Sequence, residues 1–304
     1  MLYIYQTQKQ NVQLKRNKLV KKLAYIIYKI IFFIDILLKK ITKRSILVWF
    51  KEFIENDSYI IFNVLNKNIN FFAPNQIIQW RVETFLTKEP ETLEWIDGFH
   101  NKKKIIFWDI GANIGLYSIY AALKHKDIEI VSFEPSTSNL RILSRNISIN
   151  KFEDKIFIYP SPLTKIENQR LIFEESDFFE GSSNNTFGEG IDFTGKLLKP
   201  KNRYKIFGTN INHLIKNNYL STPNYIKIDV DGIEHLILQG ASNCLNNPEI
   251  KSISIELNED FKEQFNTVLR IMDESNFRFK HKKQGSLYDY SHKFSKVYNY
   301  VFEK

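Results

Sequence analysis

The sequence predicts an α/β fold: a doubly wound, mostly parallel sheet with an antiparallel hairpin at one edge and a helical N-terminal extension. Three observations predict it. From Ile105 onward, short apolar runs alternate with helical segments, the pattern of successive βαβ units. The run Phe107 to Ile110 passes straight into a turn carrying Gly111 and Gly115 and then into an apolar helix, as at a ligand crevice of a parallel sheet. Two β-rich pieces, residues 277–282 and 296–302, flank a polar loop near the end of the chain, which suits an antiparallel pair at a sheet edge.

At 304 residues the chain is long enough for one large α/β domain with an appendage. A hydrophobic fraction of 43% and a charged fraction of 25% belong to a globular protein and exclude extensive disorder. Cys244 is the single cysteine, which excludes an intramolecular disulfide and a cysteine metal cage and fits a reducing compartment. The N-terminus shows no basic start followed by an apolar run and a small-residue cleavage site, so the expected location is cytoplasmic. The net charge of +9 suits an acidic partner, or reflects only a lysine-rich composition. No aromatic-and-basic stripe is evident, so no specific nucleic acid is expected as a partner.

Residues 1–70 are read as the helical extension and 71–304 as the domain. Within the extension, Leu23 to Leu38 is apolar but broken by Lys29 and Asp35, too short and too charged for a membrane span. Lys21, Lys22, Lys39, Lys40, Lys43 and Arg44 flank it, which predicts one or two amphipathic helices. These either cap the domain or make a peripheral contact with the inner face of a membrane.

The domain's elements follow in order. Residues 105–110 form a first strand, 114–124 its helix, 128–133 a second strand, 138–150 a second helix and 156–159 a third strand. Residues 181–195, rich in Gly, Ser and Asn without a period, read as a mobile loop over the site or a variable insertion. Helix 210–217, strand 225–230, helix 233–238 closed by Gly240, strand 252–257 and helix 261–275 precede the edge pair.

The chemistry is carried by Asp109-Ile110-Gly111-Ala112-Asn113-Ile114-Gly115. Glycines at a strand end let backbone approach a ligand closely, but a dinucleotide fingerprint would carry a third glycine where Asn113 stands. S-adenosylmethionine (SAM) needs no pyrophosphate cradle, and its ammonium group can be held by an acid such as Asp109. Glu134, ending the second strand before Pro135, is placed to accept hydrogen bonds from ribose hydroxyls. A second constellation, Asp229-Val230-Asp231-Gly232-Ile233-Glu234-His235, again puts acids and a glycine between strand and helix. Carboxylates there would orient or deprotonate an acceptor hydroxyl, or hold a divalent cation, a metal reading that is not favoured. Glu256 ends the next strand and points to the same crevice.

These residues resemble the FkbM family of methyltransferases, in the segments 109–115, Phe133-Glu134-Pro135, and Ile228 to Gly232 with Glu234 and Gly240; Lys88-Glu89-Pro90 to Ile96 resembles that family's lead-in to the first strand. The resemblance implies a class I methyltransferase fold, SAM as cofactor, and O-methylation of a sugar, glycan or natural product. It implies that Asp109, Gly111, Asn113 and Gly115 surround the methionine end, Glu134 the ribose, and Asp229 and Glu234 the acceptor. Many relatives carry Glu where this chain has Asp231. An RNA or protein methyltransferase, or a binding protein that retains the fold without activity, are the alternatives.

Overall fold

The computed structural model describes residues 2–285 and 294–304, with side chains described from Lys18 onward. The chain divides into two compact units, residues 1–58 and 59–304. The expected boundary after residue 70 lies inside a strand of the larger unit.

The smaller unit is a helix pair, α1 (Leu2–Thr42) and α2 (Leu47–Asn56). Asp35, the acid that interrupts the apolar run, is 5% exposed and sets the turn. Its carboxylate accepts hydrogen bonds from Ser45 Oγ (2.9 Å) and from the Ile46 amide (2.6 Å), while Lys43 takes a left-handed φ of 60°. A carboxylate that receives two donors at a turn replaces the backbone partners the helix end lacks.

The larger unit opens with a hairpin, β1 (Tyr59–Val64) and β2 (Lys67–Phe72). Its two-residue turn places Leu65 and Asn66 at positive φ, the geometry that matches strand twist. Three short helices follow: α3 (Gln76–Glu83), α4 (Phe85–Lys88) and α5 (Pro90–Asp97). Asn75 caps α3 by accepting from the amides of Ile77 and Ile78, and Pro90 starts α5 where a missing N–H costs nothing. Then come β3 (Ile105–Ile110), α6 (Leu116–Lys124), β4 (Ile128–Phe133), α7 (Thr137–Ile149) and β5 (Ile156–Tyr159).

Strands β6 (Gln169–Glu175), β7 (Asn185–Phe187) and β8 (Asn202–Gly208) form a separate antiparallel sheet in the order β7-β6-β8. The stretch 181–195 is therefore not wholly a loop, since β7 pairs with β6 there. The chain closes with α8 (Ile211–Lys216), β9 (Tyr225–Ile228), α9 (Glu234–Gln239), β10 (Ser252–Asn258), α10 (Lys262–Glu274), β11 (Arg278–Lys283) and β12 (Val297–Glu303). Part of the polar loop expected between β11 and β12 lies outside the described residues.

The main sheet has seven strands in the order β11-β12-β10-β9-β3-β4-β5. Strands β5, β4, β3, β9 and β10 are parallel, and β12 and β11 add antiparallel at the edge, as the sequence predicts. Both faces are covered. Phe107, Ile130 and Tyr225 face a core shared with α5, α6, α7 and the β1–β2 hairpin. Trp108, Val131 and Ile226, one residue on, face a second core with α8, α9 and α10, because successive side chains of a strand point to opposite sides.

The first face turns polar toward the C-terminal strand ends. Asp109 on β3 is level with Lys227 on β9, which is level with Ser254 on β10. Two residues further along, the same face carries Gly111, Asp229 and Glu256, so three chain-distant segments deliver their functional groups to one edge. The hairpin is held to this region by α7: Asn146 Oδ1 accepts from the Phe72 amide (2.9 Å) and Asn146 Nδ2 donates to the Ile114 carbonyl (2.9 Å). Asn150 makes a two-way pair with the backbone of Asn70, accepting from its amide at 2.9 Å and donating to its carbonyl at 2.7 Å.

Candidate active site

A cavity opens at the C-terminal edge of β3, β4 and β9, where a doubly wound sheet binds ligands. Gly111, Asn113, Glu134, Asp229, Asp231 and Glu256 line it. Its apolar wall includes Phe133, Pro162, Leu163, Phe173, Phe187 and Ile237, so the β6–β8 sheet that the sequence did not announce forms part of the site.

The turn after β3 is built around backbone contact. Gly111 has φ of +87°, and a Cβ there would stand 1.9 Å from the Asp229 carbonyl oxygen. The amides of Gly111 and Ala112 both donate to the Phe133 carbonyl at 3.0 Å, and the Asp229 amide donates to Ile110 at 3.0 Å. The turns after β3, β4 and β9 therefore pack as one body. Gly115, also at φ +87°, precedes α6 and does not line the cavity; a Cβ there would meet Leu143 Cδ1 at 2.5 Å. It makes the left-handed turn before α6 and lets Leu143 pack closely.

Asp109 is likewise not at the crevice. It is fully buried, accepts from Ser118 Oγ at 2.6 Å, and faces Lys227 across the strand pair. Burial raises its pKa despite Lys227, and its Oδ1 has no hydrogen-bond partner among the described residues. Its side chain is not among those lining the cavity, and it stands one residue before the end of β3.

Glu134 does line the cavity, but both oxygens are engaged. Oε2 accepts from the Asn113 amide (2.7 Å) and Oε1 from the Ser136 amide (2.9 Å). Burial nevertheless pushes its pKa up to about 8. Glu134 thus ties the β4 end to the β3 turn while presenting its remaining lone pairs to the cavity. Asn113, at φ 52°, donates through Nδ2 to the Ser182 carbonyl, and its buried Oδ1 has no partner among the described residues. Thr186 Oγ1, on β7 and also lining the cavity, is in the same condition. Buried polar atoms normally have partners; two orphans on one cavity wall fit a ligand with hydrogen-bond donors, as the amine and ribose hydroxyls of SAM provide.

The acids after β9 diverge. Asp229 Oδ2 accepts from Lys227 Nζ at 2.7 Å, and the side chain stays 22% exposed at the cavity. Asp231, at φ 63°, accepts from the Asn184 amide at 2.5 Å; burial, then the charge of Asp229, pushes its pKa up to about 6. Glu234 turns away. It is 1% exposed and does not line the cavity. Its carboxylate accepts from the amides of Val230 (3.1 Å) and Gly232 (3.1 and 3.2 Å) and from Gln264 Nε2 (2.5 Å). A carboxylate folded back on the loop before its own helix is a brace for that loop. The expectation that Glu234 stands beside the acceptor is therefore corrected: the loop curls so that its amides point at the acid opening α9.

Glu256 lines the cavity level with Asp229, as β10 pairs in parallel register with β9. Burial, then the charges of Asp229 and Glu89, pushes its pKa well above the ordinary range. Glu89, on the link between α4 and α5, completes the group: ligand-type oxygens of Glu89, Asp229 and Glu256 all lie within 4.8 Å of one another. The acids suggested by sequence for a cation, Asp229, Asp231 and Glu234, do not form this set. Glu89 is fully buried and paired with Lys88; although burial opposes ionisation, the charges of Lys88 and Lys227 hold its carboxyl below the ordinary value. Lys227, 2% exposed, also lies 4.9 Å from the centre of the Tyr117 ring. The sequence signal for Glu89 and Lys88 was the lead-in segment itself, which pattern alone did not connect to the strand ends.

A parallel sheet in this order, with a glycine turn after β3, an acid after β4 and an acidic cluster after β9 and β10, is the fold of class I methyltransferases. The chain belongs to the FkbM methyltransferase family: the methyltransferase FkbM domain matches residues 109–279. A curated methyltransferase of Sordaria araneosa, sdnD, is 45% identical over 42 residues, a stretch that covers 14% of this chain and 16% of that protein. Among solved structures, the methyltransferase FkbM from Methylobacillus flagellatus is 15% identical with a TM-score of 0.45, covering 73% of this chain and 52% of that one. TrmK of M. capricolum, solved with S-adenosyl-homocysteine, is 16% identical with a TM-score of 0.39, covering 70% of this chain and 67% of that one. The chain thus spans about half of the first of these structures and a small part of the curated relative.

Proposed function

We propose that the protein is a SAM-dependent O-methyltransferase acting on a hydroxyl of a sugar, glycan or natural product. The observation that carries the reading is the cluster of Asp229, Glu256 and Glu89, the first two lining the cavity, beside the Gly111 turn and an Asn113 Oδ1 that has no partner among the described residues. SAM, when bound, supplies a methyl group on a sulfonium sulfur, which keeps the electron pair of the broken carbon–sulfur bond. Asn113 and Glu134 are the groups positioned to hold its polar parts, and Phe173 and Phe187 form apolar wall beside them.

Asp229 orients the acceptor hydroxyl and takes its proton as the oxygen forms the new bond to carbon. Lys227 fixes the Asp229 carboxylate by their 2.7 Å ion pair, leaving the second oxygen for the substrate. Glu256, its carboxyl shifted toward the protonated form by burial and then by the charges of Asp229 and Glu89, donates a hydrogen bond that positions the acceptor. Alignment of this kind contributes roughly 7 to 11 kcal/mol to lowering a barrier, and a placed proton acceptor about 10² to 10⁴ in rate. No metal is required by these roles, since Lys88 and Lys227 already supply the positive charge facing Glu89 and Asp229; turnover that persists in EDTA checks this.

The test is calorimetric titration with S-adenosylhomocysteine, with Asn113→Ala as the comparison, followed by methyl transfer to a panel of sugars and natural-product alcohols. Micromolar binding weakened by the substitution, and transfer abolished in Asp229→Asn with binding kept, is the expected result. A folded protein that does not bind the cofactor product would overturn the proposal.

A further inference from the structure

The positive charge of the chain is not shared between its two units. Residues 1–58 hold 12 Lys and Arg against 4 Asp and Glu, a net of +8; residues 59–304 hold the remaining 31 against 30. The unit that carries the active site is thus nearly neutral, and the basic character belongs to the helix pair.

The helix pair is also amphipathic in a specific way. Along α1, Leu19, Leu23, Ile26, Ile30, Phe33 and Leu37 recur at intervals of three and four and occupy one face. All are exposed, Leu19 by 70% and Phe33 by 61%. Lys18, Lys22, Lys29 and Lys40, spaced by four, seven and eleven, form a stripe along one flank of that face, about 75° around the helix from its centre. Val20, Ile27, Ile34 and Ile41 widen the apolar arc beyond the two-position seam of a coiled coil, and all four are exposed. On α2, Trp49 and Phe53 are exposed by 52% and 60%. No helix among the described residues is long and apolar enough to cross a membrane.

A wide apolar face bordered by lysines is the chemistry of a helix lying in the interface of an anionic bilayer, its apolar face among the acyl chains and its ammonium groups reaching the phosphates from the flank. A second copy of the same unit fits less well, because pairing would set two charges of +8 against each other. We propose that residues 18–56 are an interfacial anchor that docks on an anionic lipid bilayer. The hydrogen bonds of Asp35 remove the one acid of the apolar stretch from that surface by turning it onto Ser45 and Ile46.

The experiment is sedimentation of the full chain with vesicles of pure phosphatidylcholine and of equal parts phosphatidylcholine and phosphatidylglycerol, at low and high salt. Binding is expected to the anionic vesicles and to weaken with salt. Reversing Lys18, Lys22, Lys29 and Lys40 to Glu should lower partition more than a hundredfold, at roughly fivefold or more per lysine. The triple change Ile26→Ser, Ile30→Ser, Phe33→Ser should abolish it. Unchanged melting of the larger unit and unchanged binding of S-adenosylhomocysteine establish that both variants remain folded. Equal binding to the two vesicle types, no binding to either, or a dimer that the triple variant dissociates while vesicles are ignored would each overturn the proposal, the last by assigning the face to a second copy.

Discussion

Lys227 Nζ stands 2.7 Å from Asp229 Oδ2, two positions along on the same face of the chain, with the lysine 2% exposed at the centre of the sheet. The pair exists because Asp109, Asp229 and Glu89 surround the ammonium group and raise its pKa against the cost of burial. Removing one member of such a pair leaves uncompensated charge, which costs about 3 to 5 kcal/mol. Lys227→Met should therefore lower stability by about that amount in chemical denaturation, and methyl transfer should fall with it. The double variant Lys227→Met, Asp229→Asn should recover much of the stability but none of the activity.

Glu234 separates loop bracing from catalysis. Glu234→Ala strips acceptors from the Val230 and Gly232 amides and from Gln264, and unsatisfied buried donors cost about 1 to 3 kcal/mol each. Glu234→Gln should be far milder, since Gln264 Oε1, without a partner among the described residues, can turn to accept from the new amide.

The same residue predicts a pH dependence. Burial holds its folded pKa at about 8, above the ordinary glutamate value. A carboxyl that keeps its proton more tightly when folded stabilises fully below its unfolded pKa, and that contribution is lost as pH rises through about 8. Glu134 acts in the same direction and window. Melting temperatures from pH 5 to pH 9 should fall more steeply in the wild type than in Glu234→Gln; parallel curves would refute the assignment.

Gly111→Ala tests the joined turns. Its left-handed φ costs an alanine about 1 to 2 kcal/mol, and the clash of its Cβ with the Asp229 carbonyl adds to that because backbone cannot step aside as a flexible side chain would. Binding of S-adenosylhomocysteine should be lost together with transfer, whereas Asp229→Asn should lose transfer alone.

Glu256 predicts the acidity profile of the reaction. Burial and the charges of Asp229 and Glu89 hold its pKa well above the usual carboxylate range, and the turnover number should fall as pH rises through that raised pKa and the proton leaves. Glu256→Gln, which keeps a donor, should flatten this limb while retaining part of the rate.

The strands from Ile105 to Tyr159 were legible to the residue because each is an apolar run closed by a turn residue, and β9 and β10 nearly so. The β6–β8 sheet was not. Gln169 to Glu175 mixes polar and apolar residues without a clean alternation, and the three residues of β7 are strand only through pairing with β6. Gly111, Asn113, Glu134, Asp229 and Glu256, which line the cavity, stood out in the sequence because strand-end acids and turn glycines leave a local signature. Asp109 and Glu234 carry the same signature but point into the core and under a loop, directions that spacing does not encode. Glu89 reaches the cluster through the packing of the α4–α5 link, a long-range contact with no local pattern.

Asn150 treats the backbone of Asn70 as a neighbouring strand would, giving and taking one hydrogen bond each through its side-chain amide. An open strand edge is a template on which other chains can add and aggregate. A single residue at the end of α7 thereby guards part of the outer rim of a two-stranded ribbon without lengthening the sheet. Losing that amide would show itself first in the test tube, as turbidity on standing at high protein concentration, before any change in the chemistry of the cavity.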